Sequence, residues 1–348
     1  MANSTVSSPL LTIAIPTWNR ARFLAKTLEQ LHSEMMGVAQ GSVEVLVSDN
    51  DSPDETQAIV AHRIQAGLPI TNIKNPTNIG SDANIAQCFN LASGKYVLIL
   101  GDDDLLVDQS LSMILSILAA KDYGVVCLSA YGFEDDFRKE FPGNFGRDQE
   151  YLDSTKFLVK VGAWMTFISS CIINRQLISE VDANAFCGSN LVQVELVLRA
   201  TIAAKQNYFV KKYAIACLRN NSSGYEFSTV FVNKLGAILD KYQALGLQPD
   251  ATRQIENKLL LTFFPFYLTR QRIFNTGNLD ICRANFTKRY KGRLLFSCWV
   301  APIMQWPRPL AVIWGAGTVF VGRGLNGDLQ RGVYFAINKI KKLLSKSR

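Results

Sequence analysis

Strand and helix signals alternate without a break over the first 130 residues of this 348-residue chain, and that rhythm leaves few folds open. Short apolar runs at Leu10–Ile15, Val43–Val47, Ile70–Lys74, Tyr96–Leu100 and Val125–Leu128 predict strands. Between them, apolar residues at helical spacing predict helices over Arg22–Met35, Glu55–Ala66, Asp82–Ala92 and Ser110–Ala120, with Gly67 as a C-cap. Alternation at this period predicts an α/β fold, a mostly parallel sheet with helices on both faces. Ligands of such sheets bind beyond the carboxyl ends of the strands. Two acidic clusters, at 49–54 and 102–104, follow strands directly and are therefore expected at one sheet edge. From about 130 to 230 the pattern is mixed, with Tyr151–Val161 helical and Thr166–Ile173 strand-like. Beyond 230 it is mainly helical. The expected division is an α/β domain over 1–230 and a helical, basic region over 231–348.

Charge follows the same division. Residues 251–348 hold 17 Lys+Arg and 3 Asp+Glu, a net of +14, whereas residues 1–250 hold 20 and 26, a net of −6. Confining the positive charge to the last quarter excludes a uniformly basic nucleic-acid binder. Two apolar stretches, Leu294–Pro307 and Pro309–Gly322, are each 14 residues long and flank Arg308. A membrane-crossing helix needs about 20 apolar residues, and prolines around an arginine break one. These stretches are expected as buried helices or as segments dipping into a bilayer interface. Arg331–Arg348 places Val333, Ile337, Ile340 and Leu344 at helical spacing among Lys339, Lys341, Lys342, Lys346 and Arg348, a basic amphipathic pattern suited to an anionic membrane. Trp299, Trp306 and Trp314 lie just upstream as interfacial anchors. No basic residue precedes the first apolar run, and the seven cysteines contain no CxxC pair. Reduced, buried thiols and a cytoplasmic location, peripheral on the inner face of the plasma membrane, are the expectation.

Three consecutive aspartates at the end of a buried strand are electrostatically costly without a cation. Mg²⁺ or Mn²⁺ suits such carboxylates and usually bridges to substrate phosphates. The plainer alternative is an acidic helix start that favours the dipole of the following helix. Neither a Gly-x-x-x-x-Gly-Lys-Ser/Thr loop nor a Gly-x-Gly-x-x-Gly fingerprint occurs, which disfavours Walker ATPases and nicotinamide enzymes. His32 and His62 are the only histidines and lie in no motif, so any general base has to be a carboxylate.

Four segments in order, Ile15-Pro16-Thr17-Trp18-Asn19-Arg20, Val47-Ser48-Asp49-Asn50-Asp51-Ser52-Pro53-Asp54-Glu55-Thr56, Asn78-Ile79-Gly80 with Asn84, and Gly94-Lys95-Tyr96 leading to Leu100-Gly101-Asp102-Asp103-Asp104, resemble family 2 glycosyltransferases. The resemblance covers about the first 105 residues, and the ordered combination is specific where any one segment alone is weak. It implies a GT-A fold, a nucleotide-sugar donor and a divalent metal. The basic tail and the segment Trp164-Met165-Thr166-Phe167-Ile168-Ser169-Ser170 look like the subset that builds bacterial surface polysaccharides, O-antigen and abequosyltransferase-like enzymes among them. The implied partner is a lipid-linked oligosaccharide acceptor.

By this resemblance, Pro16, Thr17, Asn19 and Arg20 line the donor pocket, with Asp49 and Asn50 at the base and ribose, and Asn78, Gly80 and Asn84 beside them. Asp103 matches the metal-binding aspartate, with Asp104 as a second ligand that also flanks the sugar and Asp102 near the ribose. Three departures stand out. Gly101 occupies the place where many members carry an aspartate, weakening the expected metal affinity. Asn50 replaces an aspartate, and an amide that both donates and accepts permits a cytidine-linked donor without excluding UDP, GDP or dTDP donors. Gln193 stands where the acceptor-activating carboxylate is expected, ahead of Leu196-Val197-Leu198-Arg199. That leaves Glu195 as the candidate base, two residues away and off the same helix face, with Asp182 a weaker alternative. Neither several membrane helices nor a Gln-x-x-Arg-Trp motif occurs, so the expected product is a single added sugar, with inversion. The rival expectations are a catalytically weakened nucleotide- or glycan-binding subunit, which Gly101 and Gln193 favour, and a nucleotidyltransferase, for which only Arg20 and Arg22 speak.

Overall fold

The computed structural model describes residues 8–144, 146–219 and 224–326. The chain divides into two compact units, the first ending at Ser222 and the second beginning at Ser223. Arg331–Arg348, expected as an amphipathic helix, lies outside the described residues.

The first unit starts β1 (Leu11–Thr17), α1 (Ala21–Met35), β2 (Val43–Asp49), α2 (Thr56–Gln65), β3 (Ile70–Lys74), α3 (Ser81–Leu91), β4 (Tyr96–Ile99). It continues β5 (Asp104–Leu106), α4 (Ser110–Ala120), β6 (Val125–Phe133), β7 (Gln149–Tyr151), α5 (Ser154–Val161), β8 (Cys171–Asn174), α6 (Val192–Ala203), β9 (Asn207–Leu218). Strand order is β3-β2-β1-β4-β8-β6-β9-β5, with β7 also pairing β9. The β3-β2-β1-β4 half is parallel throughout; in the other half β8 runs antiparallel to both neighbours, and β6 and β9 are parallel.

Apolar pattern accounts for this arrangement. β1 is buried on both faces because it is a central parallel strand, and Leu11, Ile13 and Ile15 are each fully buried. Leu24, Leu28 and Leu31 of α1, at i, i+4 and i+7, join the same core as these residues and Val43, Val45 and Val47 of β2. Gly67 follows α2 at φ +97°, and its N–H bonds the Ile64 carbonyl, closing that helix as expected. Two expectations are corrected. Thr166–Ile173 is not one strand but ends a pair of 3-10 turns, Gly162–Thr166 and Ile168–Ser170, before the short β8. Five of the cysteines are buried or half-buried, but Cys187 and Cys298 are exposed.

In the second unit a π-helical turn at Thr229–Lys234 leads into α7 (Leu235–Gln243), followed by α8 (Pro249–Thr262), α9 (Phe264–Phe274), α10 (Leu279–Tyr290), α11 (Ala301–Gln305) and α12 (Arg308–Asn326). Its interior holds an aromatic cluster in which Phe227 stacks on Tyr267 at 4.8 Å. Glu256, 1% exposed, is paired with both Arg289 and Arg293, so this buried charge is fully matched. The chain breaks between α11 and α12 at Trp306-Pro307, and no helix among the described residues is long and apolar enough to cross a membrane. Two of the three upstream tryptophans turn their indole N–H inward, Trp299 to the Leu261 carbonyl and Trp314 to the Trp299 carbonyl.

Candidate active site

Parallel pairing puts the carboxyl ends of β1, β2 and β4 on one edge. Thr17 ends β1 opposite Asp49, the last residue of β2, and the β4 chain continues through Leu100 and Gly101 into the aspartates. Thr17 Oγ1 donates to Asp102 Oδ2 at 2.8 Å, tying the β1 end to the acidic turn. Arg20, immediately before α1, reaches the same turn: its Nε lies 2.8 Å from Asp102 Oδ1 and its Nη2 2.7 Å from Asp103 Oδ2. Asp104 begins β5, pairing with Cys217 of β9, and its buried carboxylate accepts a hydrogen bond from Ser169 Oγ. Ser169 in turn accepts from Gly101 N at 2.9 Å. From the other side, Thr27 of α1 donates to the backbone carbonyls of Asp102 and Asp104 at 2.8 and 3.2 Å.

Space explains the glycine at 101. A Cβ there would sit 2.7 Å from Asp104 Oδ2, so an aspartate in its place collides with the inward-turned Asp104 carboxylate. Burial sets the electrostatics of the cluster. It pushes Asp102 up to about 6, against the pull of Arg20 and Thr17. Asp104 is pushed well above the usual carboxylate range by burial and by the neighbouring Asp103 charge.

The other acidic strand end uses its carboxylates on neighbouring backbone and side-chain donors. Asp49, fully buried, accepts from Ser52 N at 2.9 Å and from Gln57 Nε2 at 2.6 Å. Asp54 accepts from Ala21 N, the first residue of α1, at 2.8 Å, and from Thr56 N at 3.2 Å. Asn19, at φ +55°, donates its N–H to Ser52 Oγ. Asn50 accepts on Oδ1 from Asn75 Nδ2 and Ile79 N and donates from Nδ2 to Asn78 Oδ1, so its whole amide holds the 75–80 loop. Asn78 Oδ1 also accepts from Gly80 N, and Gly80 at φ +88° needs glycine to enter α3. Asn84 exchanges two hydrogen bonds with Ser48, on β2. Thr17, Arg20 and Asp102–Asp104 thus form one cluster, whereas Asp49, Asn50, Asn78, Gly80 and Asn84 form a second that shapes the edge beside it. Pro16 is half-buried at the β1 end.

The two turns missed in the sequence matter here, because they connect the acidic cluster to α6. Ser169 faces Asp104, and three residues earlier the Thr166 carbonyl accepts from Gln193 Nε2 at 2.8 Å. Gln193 Oε1 is buried without a hydrogen-bond partner, an orphan acceptor beside this segment. Glu195 is 5% exposed on the same helix. Asp182 instead caps its own turn through Asn184 N and accepts from Asn90 Nδ2. Ser169 and Thr27 are the site-supporting residues sequence reasoning passed over; a hydroxyl among the leucines of the buried face of α1 was the available signal for Thr27.

The donor set fits a divalent cation in one respect and not in another. Among the described residues no three carboxylate, thiol or imidazole groups converge into a cage. Asp102 and Asp103 nevertheless already hold a cation, the Arg20 guanidinium, between one oxygen of each. Mg²⁺ and Mn²⁺ bind through one or two carboxylates and complete their shell with phosphates and water, which this pair satisfies.

Comparison with known proteins decides the class. Residues 12–181 match the model of glycosyl transferase family 2. They are a family 2 glycosyltransferase domain. The chain is 24% identical over 232 residues to abequosyltransferase RfbV of Salmonella typhimurium, covering 62% of this chain and 68% of that protein. It is 28% identical over 155 residues to a GalNAc(5)-diNAcBac-PP-undecaprenol beta-1,3-glucosyltransferase of Campylobacter jejuni, covering 43% of this chain and 48% of that one. Among solved structures it resembles S. aureus TarS 1-349 in complex with UDP-GlcNAc, with TM-score 0.55, 16% identity and 92% of each chain covered. It also resembles the mannosyltransferase PcManGT of Pyrobaculum calidifontis in complex with GDP-Man and Mn²⁺, with TM-score 0.52, 15% identity, and 92% and 87% covered. These likenesses establish the GT-A fold, and at family level the chain is a glycosyltransferase.

Proposed function

We propose that this glycosyltransferase moves one sugar from a nucleotide-diphosphate donor to a polyprenyl-diphosphate-linked glycan during bacterial surface polysaccharide synthesis, with inversion at the anomeric carbon. The carrying observation is the Asp102–Asp103 pair, tied to the β1 end by Thr17 and already gripping a cation. Asp103 with Asp102, and Asp104 if it leaves Ser169, would hold a Mg²⁺ or Mn²⁺ ion that neutralises the diphosphate leaving group. Thr17, Arg20 and Asn19 then face the nucleotide, and Pro16 stiffens the β1 end. Asp49, Asn50, Asn78, Gly80 and Asn84 keep the neighbouring loops in place, so their influence on base choice runs through loop shape. Titration with CDP and UDP tests the permitted cytidine donor; UDP binding far tighter than CDP removes it. Glu195 is the proposed base for the acceptor hydroxyl.

The acceptor's lipid carrier resides at an anionic membrane, and the second unit has a surface for one. On α12, Leu310, Ile313 and Phe320 are 55–71% exposed between Arg308 and Arg323, and Leu325 is 60% exposed just beyond. Together with the +14 of residues 251–348, this supports a cytoplasmic chain peripheral on the inner face of the membrane. Sedimentation with vesicles of anionic phospholipid tests it; equal binding to neutral vesicles contradicts it. A second reading, a nucleotide- or glycan-binding subunit without turnover, is favoured by the amide at Gln193. A screen of nucleotide-sugars against lipid-linked acceptors, read by mass spectrometry, separates the two.

A further inference from the structure

Two of the three consecutive carboxylates at the sheet edge, Asp102 and Asp103, share the Arg20 guanidinium, and the way it is shared is specific. Asp102 Oδ2 is taken by the Thr17 hydroxyl, and Asp104 is turned inward to Ser169. The Asp102 oxygen that Thr17 leaves is Oδ1, the one that Arg20 Nε contacts. On Asp103, Arg20 Nη2 contacts Oδ2. Arg20 thus stands on the Asp102 oxygen that Thr17 leaves and on one oxygen of Asp103.

Its grip is divided: Nε lies 2.8 Å from Asp102 Oδ1 and Nη2 2.7 Å from Asp103 Oδ2. A guanidinium binds most strongly as a fork on a single carboxylate, and here it is split between two. Its backbone is anchored, since the Arg20 carbonyl accepts from Phe23 and Leu24 N–H at the start of α1. The side chain is 30% exposed and its guanidinium lies 4.9 Å from the Phe23 ring centroid, within cation–π range.

We propose that Arg20 is the resident counter-ion of this cluster, yielding Asp102 Oδ1 and Asp103 Oδ2 when a divalent cation enters and turning its guanidinium to the donor's diphosphate. This rests on the donor site assigned above and adds to it an order of events. Without nucleotide, Arg20 competes with the metal and metal binding is weak. With a diphosphate present, Arg20 has a second anionic partner and ceases to compete, so nucleotide and metal strengthen each other's binding, reciprocally.

Calorimetric titration of Mn²⁺ into the nucleotide-free full chain reads the competition directly. Arg20→Gln is expected to bind Mn²⁺ about tenfold more tightly than the wild type, the change expected when about 1.4 kcal/mol of competing ion pairing is removed. Arg20→Lys is expected near the wild type, and Asp103→Asn to lose binding. UDP or CDP is expected to bind more weakly to Arg20→Gln. Unchanged or weaker Mn²⁺ binding by a folded Arg20→Gln overturns the proposal. Should that variant fail to fold, the wild type itself supplies the test, through the ¹⁵N resonance of the Arg20 Nε–H during titration with diamagnetic Mg²⁺. A shift that saturates with Mg²⁺ supports exchange; an unmoved resonance overturns it. Metal-dependent donor turnover with an unmoved Arg20 sinks only the exchange, whereas absence of both Mn²⁺ binding and turnover sinks the donor site as well.

Discussion

Two acidic strand ends lie on the same edge of the sheet, and the fold treats their carboxylates in opposite ways. At 49–54, Asp49 and Asp54 accept hydrogen bonds from Ser52, Gln57, Ala21 and Thr56, closing a loop and capping α1. At 102–104, one guanidinium serves two carboxylates and a third is buried against a serine. Their proton affinities diverge accordingly. Burial pushes Asp54 up, but hydrogen bonds from the Thr56 hydroxyl and the Ala21 and Thr56 N–H groups outweigh it and hold Asp54 below the usual range. Burial wins at Asp102, which rises to about 6. Carboxylates satisfied by neighbouring N–H and hydroxyl groups are architecture; carboxylates that share one guanidinium are where the proposed metal and diphosphate would act.

Substitutions at the two ends should therefore fail differently. Asp103→Asn is expected to lower donor turnover by roughly 10³-fold, as losing a transition-state electrostatic contact does, with little change in melting temperature. A drop in stability without loss of turnover would put Asp103 with the architectural set. The next effect is in pH. Asp102 binds its proton more tightly folded than unfolded, so its contribution to stability is complete below about pH 4 and is lost as pH rises through about 6, on the order of 3 kcal/mol. Asp54 has the opposite sign: its contribution is present above about pH 4 and is lost below it. Urea unfolding should show Asp102→Asn gaining on the wild type between about pH 4 and 7, and equal differences at both ends of that range would contradict the sign. Glu195→Gln is expected to cut kcat about 10²-fold while leaving nucleotide affinity alone, and full retained turnover eliminates it as the base. Smallest, Asp54→Ala should cost about 1 kcal/mol through the lost contacts at the start of α1, read by thermal melting, with kcat unchanged.

The difference between the two ends was not legible in the sequence, although their positions were. Local apolar periodicity located the strands and helices of the parallel half to within a residue or two, because both faces of β1 and the inner face of α1 are buried. It also gave both acidic clusters the same place and hence the same weight. What separates them is non-local. Asp104 opens a three-residue strand whose partner is Cys217, far along the chain, and so short a strand carries no period. Ser169 lies in a segment whose β-branched and aromatic residues resemble a strand, yet it folds as 3-10 turns that bring its hydroxyl to Asp104. Asn50, the amide expected at the base, is drawn wholly into the 75–80 loop by partners 25 to 29 residues away. The divided charge of the chain, by contrast, was plain from counting, and α12 supplies the exposed apolar residues to go with it.

Donor hydrolysis by the purified full chain, assayed over a panel of nucleotide-sugars with Mn²⁺ and again after chelation, tests most directly whether the 102–104 cluster is the donor site. The expected result is turnover of at least one donor that requires Mn²⁺ and vanishes in Asp103→Asn, while Asp54→Ala retains it. Turnover indifferent both to chelation and to Asp103→Asn would contradict it.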